Sequence, residues 1–232
     1  MCFILGIDTS SVDIGIGLFQ NSEPIASYSR FIRNSHAEHI AQVVEMILDI
    51  NNVKSKDIKY IAVSVGPGSF TGLRIGISFV KGFCFNRDAV VLPVSSLEVL
   101  AYAARNHNGR IISAIDARND DIFFGSFESK NGLLCRLTED TIVNASDFKS
   151  FICNDDVVVT DTMGFSRSIV FNSLDHTMNI LPVEKFHLQR GLFCSLIGAQ
   201  SLSSPEKWKS EIEIVPNYLR SSSAQNKLKA SA

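Results

Sequence analysis

Asp8, Thr9 and Ser10 close the first apolar run of the chain, CFILGID, with one carboxylate and two hydroxyls. At the tip of a buried strand that turns into a hairpin, such a trio could face a phosphate and its metal ion. It could equally be an ordinary polar strand end. A second candidate is the stretch 66–76, GPGSFTGLRIG, which follows another apolar run, IAVSV. A Walker A loop needs a glycine and then a lysine at fixed spacing, but Thr71 stands where the glycine should be and no lysine follows. A dinucleotide fingerprint fails as well, because the third glycine, Gly72, arrives one residue late and the loop follows the fourth predicted strand rather than the first. What remains is a tight turn and a helix start, with Ser69 or Thr71 as the cap. Free amides at such a start can still hold an anion. A third candidate is the pair His36 and His39, three apart on a predicted helix. Two imidazoles without an evident third ligand favour a structural role over a metal site.

These residues need elements to hold them. Residues 2–8, 12–19 and 25–31 read as a meander of three strands, with a turn at Asn21-Ser22-Glu23-Pro24. Ser35 and Glu38 have capping-box spacing and open a helix over 35–51 that Asn51-Asn52 ends. Its polar residues, Glu38, Gln42, Glu45 and Asp49, form one narrow stripe, and apolar residues fill the rest of the wheel. A strand at 60–65 leads to a second helix over 69–85. There Arg74, Ser78 and Lys81 make the polar arc, and Cys84 reads as core. A surface helix needs an apolar stripe of only about 100°. Two helices that exceed it are either buried on both sides within one domain or cover a partner. Gly72 and Gly76, one turn apart, would let another helix come close. A strand at 90–94, a helix at 96–105 and strands at 110–116, 121–128 and 157–160 follow. Further helices fit 147–153, 164–172 and 185–202. The order is mixed α/β, without a repeat at solenoid period.

The whole-chain properties are ordinary. Apolar content is 45%, charged content 20% and net charge −2 over 232 residues. The charge gives no overall attraction to nucleic acid. Cys2, Cys84, Cys135, Cys153 and Cys194 are scattered and never spaced CxxC, which argues against a disulfide framework or a structural zinc site and for a reducing cytoplasm. No apolar stretch approaches the roughly 20 residues of a membrane span. The polar end, 221–232, reads as a flexible tail.

The strand end IDTS, the stretch VSVGPGSFTGLRIGISFVKGF, then LPVSSLEVLAYA, IDARNDDIFFG and VPNYLR together resemble the TsaB (YeaZ) family of tRNA threonylcarbamoyladenosine biosynthesis. The resemblance spans about 3–220 and is densest over 60–125. It implies an actin-like ATPase fold (ASKHA, ribonuclease H-like) with two related subdomains, expected at 1–105 and 106–220. It also implies a non-catalytic subunit with no cofactor and no metal of its own. Such a subunit binds the catalytic paralogue TsaD as a heterodimer, and the ATPase TsaE joins them. The pair serves threonylcarbamoyl transfer to adenosine 37 of tRNAs that read codons starting with A, and tRNA is met mainly through the complex. The partner surface would then be the two N-terminal helices, with Ile40, Val43, Met46, Ile47, Phe70, Leu73, Gly76, Ile77 and Val80 as interface residues. Self-association through the same helices is plausible in isolation. Asp8, Thr9 and Ser10 would be the remnant of a nucleotide site. The TsaD-like HxxxH ligand pair falls here on Ser96 and Leu100, neither of which suits a metal beside an imidazole. The glycines after Pro93 (Gly109, Gly125, Gly132, Gly164, Gly191 and Gly198) are all isolated, so the Gly-Gly turn that closes an actin-like nucleotide site is missing. The rival readings are an independent ATPase or sugar-kinase-like enzyme anchored on Asp8, and a metallopeptidase.

Overall fold

Residues 14–18 read Ile-Gly-Ile-Gly-Leu, and this alternation decides what each face of the first sheet can pack against. A computed structural model describes residues 2–21, 23–31, 36–160, 169–174, 179–182 and 189–219. The first sheet contains β1 (Phe3–Asp8), β2 (Asp13–Gln20), β3 (Glu23–Phe31), β4 (Ile58–Gly66) and β5 (Val90–Ser95), in the order β3-β2-β1-β4-β5. β1 runs antiparallel to β2 and parallel to β4, and β4 runs parallel to β5. One face carries Leu5, Ile7, Ile14, Ile16, Leu18, Ile61 and Val63 and packs against α1 (His36–Ile50) and α2 (Phe70–Cys84). The other face carries glycines over β1 and β2, and α6 (Arg190–Gln200) lies directly on them. A Cβ at Gly17 or Gly191 would run into the backbone of the facing element.

The second sheet repeats the plan. β6 (Arg110–Arg118), β7 (Asp121–Lys130), β8 (Leu133–Arg136), β10 (Val157–Thr160) and β11 (Asn179–Pro182) take the order β11-β10-β6-β7-β8, and β9 (Thr141–Asn144) pairs with β7. β6 is antiparallel to β7 and parallel to β10, as β1 is to β2 and β4. The two sheets therefore share a strand order and a pattern of directions. Short helices α4 (Ala145–Phe148) and α5 (Ile169–Asn172) flank the second sheet. Helix α3 (Ser96–Ala101) joins the halves: Leu97, Leu100 and Ala101 pack with the second sheet, and Val99 packs with α6.

The predicted elements are present over the described residues, with shifted ends. The helix expected at 96–105 ends as a 3₁₀ turn at Tyr102–Ala104, and strands β8, β9 and β11 are additions. The turn expected at 21–24 is shorter, because Glu23 and Pro24 already pair in β3. Asn52 takes the left-handed conformation, φ 54°, that ends a helix. The Ser35 cap, Gly164 and the tail 221–232 lie outside the described residues. A cut at residue 105 needs correcting. Helix α6 and the segment 209–219 return to the first sheet, where Ile214 is buried in its core. The first unit is therefore built from both ends of the chain.

Candidate functional site

The three polar residues at the tip of β1 are 1%, 0% and 4% exposed in the order Asp8, Thr9, Ser10. Asp8 Oδ1 accepts from Ser10 N at 2.8 Å and from Ser10 Oγ at 2.6 Å. Arg190, 2% exposed at the start of α6, donates through Nε to Asp8 Oδ2 at 3.2 Å and through a terminal nitrogen to Ser10 Oγ at 2.8 Å. Thr9 Oγ1 donates to Gly72 O at 2.7 Å. A guanidinium therefore stands where a cation would meet this carboxylate. The structure brings Asp8, Thr9 and Ser10 together as expected, and their side-chain hydrogen bonds run to one another, to Arg190 and to Gly72.

Arg190 was not anticipated. Its signal in the sequence is a cation at the head of an apolar helix, RGLFCSLIG. The repeat of IDTSSVDIGIGLF (7–19) as IDARNDDIFFGSF (115–127) was not anticipated either. Asp116 Oδ1 accepts from Arg118 N at 2.7 Å, as Asp8 does from Ser10 N, and Arg118 Nη1 lies 3.7 Å from Asp116 Oδ2. In both copies of the hairpin an arginine faces the aspartate.

The loop 66–69 is latched to the same place. Ser69 N donates to Ser10 O at 2.7 Å, and Ser69 Oγ accepts from Gly72 N at 3.2 Å, so Ser69 is the helix cap. Gly66, at φ 113°, takes a conformation that glycine adopts at least cost. Gly72 and Gly76 do admit a close neighbour, but it is the tip of β1 rather than another helix. A Cβ at Gly72 would strike Thr9 O, and one at Gly76 would strike Thr9 Oγ1.

The helical face needs a larger correction. Ile40, Val43, Ile47, Leu73, Ile77 and Val80 are at most 6% exposed, all within the chain's own core, and Gly76 is turned onto Thr9. Of these seven only Ile40 reaches the groove described below; the others cannot present side chains to a partner. Met46, 39% exposed, and Phe70, partly exposed, are the expected interface residues that reach the surface. The excess apolar arc of α2 resolves into two stripes. Leu73, Ile77, Val80 and Cys84 face the sheet, while Ile75, Phe79 and Phe83 turn toward α1 and stay half-buried. Between α1 and α2 lies a groove of about 510 Å³ lined by Ile40, Ala41, Phe70, Thr71, Arg74, Ile75, Ser78 and Phe79. Its rim is shared by the C-terminal segment: Asn217 N donates to Val65 O at 2.7 Å, and the Tyr218 ring stacks on Phe70 at 4.8 Å.

Ser96 and Leu100 are 0% and 1% exposed. Ser96 Oγ lies 3.4 Å from Ser64 Oγ, and Leu100 packs in the second core. A metal ligand pair does not fit at these positions. His39 is half-buried on α1, and the side chain of His36 lies outside the described set. Among the described residues no group of three His, Cys, Asp or Glu could hold a metal ion, and no helix is long and apolar enough to cross a membrane.

A family model for "TsaD: tRNA N6-adenosine threonylcarbamoyltransferase" matches residues 30–160, more than half of the chain. The chain belongs to the TsaD family. Its likeness over nearly the whole length is to the tRNA threonylcarbamoyladenosine biosynthesis protein TsaB of Bacillus subtilis, at 29% identity over 97% of this chain and 96% of that one. YeaZ from Pseudomonas aeruginosa superposes with a TM-score of 0.78 at 24% identity, over 94% of this chain and 100% of that one. The activator of 2-hydroxyisocaproyl-CoA dehydratase from Clostridium difficile, solved with bound ADPNP, superposes at 0.51 with 13% identity, over 90% and 98%. The fold is that of the actin-like ATPases, and the matching strand orders of the two sheets are its duplicated halves.

Proposed function

We propose that this chain is a non-catalytic subunit in tRNA threonylcarbamoyladenosine synthesis. It binds and supports a TsaD-type transferase that modifies adenosine 37 of tRNAs reading codons that start with A. A TsaE-type ATPase completes the assembly, and tRNA is met mainly through the complex. The relatives' names supply the pathway. The observation that supports the subunit role is the sealed carboxylate: Arg190 neutralises Asp8 and ties up Ser10, so neither is free to hold a metal ion and the phosphate it would carry. The uncovered groove between α1 and α2 supplies the surface a subunit needs. An independent ATPase anchored on Asp8 would need that carboxylate free.

Reconstitution tests the reading. The chain alone should neither bind ATP in equilibrium dialysis nor hydrolyse it. A TsaD-type transferase should modify tRNA poorly without the chain and efficiently with it. Phe79→Glu, on the groove wall, should abolish complex formation by size exclusion and stimulation of tRNA modification together, with only a small fall in the unfolding midpoint. ATP hydrolysis by the purified chain that disappears with Asp8→Ala would overturn the reading.

A further inference from the structure

Arg74 sits at the edge of the groove with its guanidinium 3.8 Å above the Phe70 ring. Its Nε donates to the Tyr218 hydroxyl at 2.9 Å, and the Tyr218 ring is stacked on the same Phe70. Tyr218 is fixed in turn by the backbone bond from Asn217 to Val65. Arg74 is exposed, and no carboxylate pairs with it among the described residues. An arginine usually loses much rotamer freedom when it binds. Here the ring stack and the hydroxyl already restrict it, while the forked end keeps its capacity for a two-point acceptor. The groove wall beside it is apolar, through Ala41, Ile75 and Phe79. The charges are segregated too: the outer ridge of α1 carries Glu38, Glu45 and Asp49, and that of α2 carries Arg74 and Lys81.

We propose that Arg74 is the specificity-determining anchor of this face. It takes a carboxylate of the transferase partner, and an apolar side chain next to that carboxylate enters the groove. The proposal rests on the subunit reading above and adds the chemistry by which the partner is chosen. The C-terminal segment has a part in it, since Tyr218 holds the guanidinium in place. An arginine held against aromatic rings at the edge of an apolar groove is the kind of residue that dominates interface energetics once a partner covers it.

The test is calorimetric binding of the full chain to the TsaD-type transferase of the same organism, at about 50 and about 300 mM salt. Arg74→Ala should weaken binding about 30-fold or more. Arg74→Lys, which keeps the charge but loses the fork, should weaken it about tenfold. Tyr218→Phe, which removes only the hydroxyl, should weaken it about threefold to tenfold. Native affinity should fall with salt, and Arg74→Ala should flatten that dependence. If Arg74→Ala lowers the unfolding midpoint, Arg74→Lys decides in its place. Native-like binding by Arg74→Ala while Phe79→Glu abolishes it overturns the anchor and leaves the interface standing. Native-like binding by both overturns the interface and the anchor together. Loss of self-association alone, by sedimentation, assigns the carboxylate to a second copy and overturns the proposal, as does native affinity that ignores salt.

Discussion

Arg190 and Asp8 form an ion pair with almost no contact with water, so losing Arg190 leaves the Asp8 carboxylate buried without its counter-charge. Arg190→Ala should destabilise the chain by about 3–5 kcal/mol in urea unfolding, a cost set by the stranded carboxylate. A second charged pair responds to acid. Burial raises the Asp156 carboxyl, but hydrogen bonds from Arg110 and Cys153 N, with the Arg110 charge, outweigh it and hold the group below its ordinary value of 3.8. The unfolded chain then takes up that proton more readily than the folded one. The stabilisation is therefore present above the ordinary value and fades as pH falls through it toward the folded value. Arg110→Ala should be less stable than the native chain at neutral pH, and the gap should narrow below about pH 4, measured by unfolding across pH. The Asp8-Thr9-Ser10 trio was legible in the sequence as polar groups on a buried strand end. Its partner was not, because 182 residues separate Arg190 from Asp8 and only tertiary packing joins them.

At the scale of elements, α2 supplies two contrasts. Gly76→Ala puts a methyl into Thr9 and should cost about 1–3 kcal/mol by overpacking. At Gly82 a Cβ meets nothing within 4 Å, so Gly82→Ala should stabilise the helix by about 0.5–1 kcal/mol. Thermal unfolding of the two variants should move in opposite directions. The second contrast is Ile77 against Phe79. Ile77→Glu buries a charge in the first core and should unfold the chain rather than probe an interface, and circular dichroism would show it. Phe79→Glu should leave the fold intact. The helical wheel gave the width of the apolar arc correctly. It could not divide that arc, since the stripe on the sheet and the stripe toward α1 are both apolar throughout. The strands β8, β9 and β11 escaped notice because four residues are too few for a period to register, and LLCR, TIVN and NILP lack the unbroken valine run that marked β10.

For the whole molecule, duplication is the governing fact, and half of it was readable. The hairpin repeats as sequence between 7–19 and 115–127, while the parallel strands that follow repeat only as topology. The return of α6 to the first sheet could not be inferred from linear order, since its packing depends on the glycines of β1 and β2. The latch between β1 and α2 has a consequence for genetics. Helix α2 forms one wall of the groove, and its first turn is held by Thr9, Ser10 and the cap at Ser69. The polar tip of β1 is thus the foundation of the proposed docking surface. A screen for loss of tRNA modification should therefore recover Asp8 and Ser10 alongside groove residues. Their mutants should regain function on cooling, whereas those at Phe79 should not.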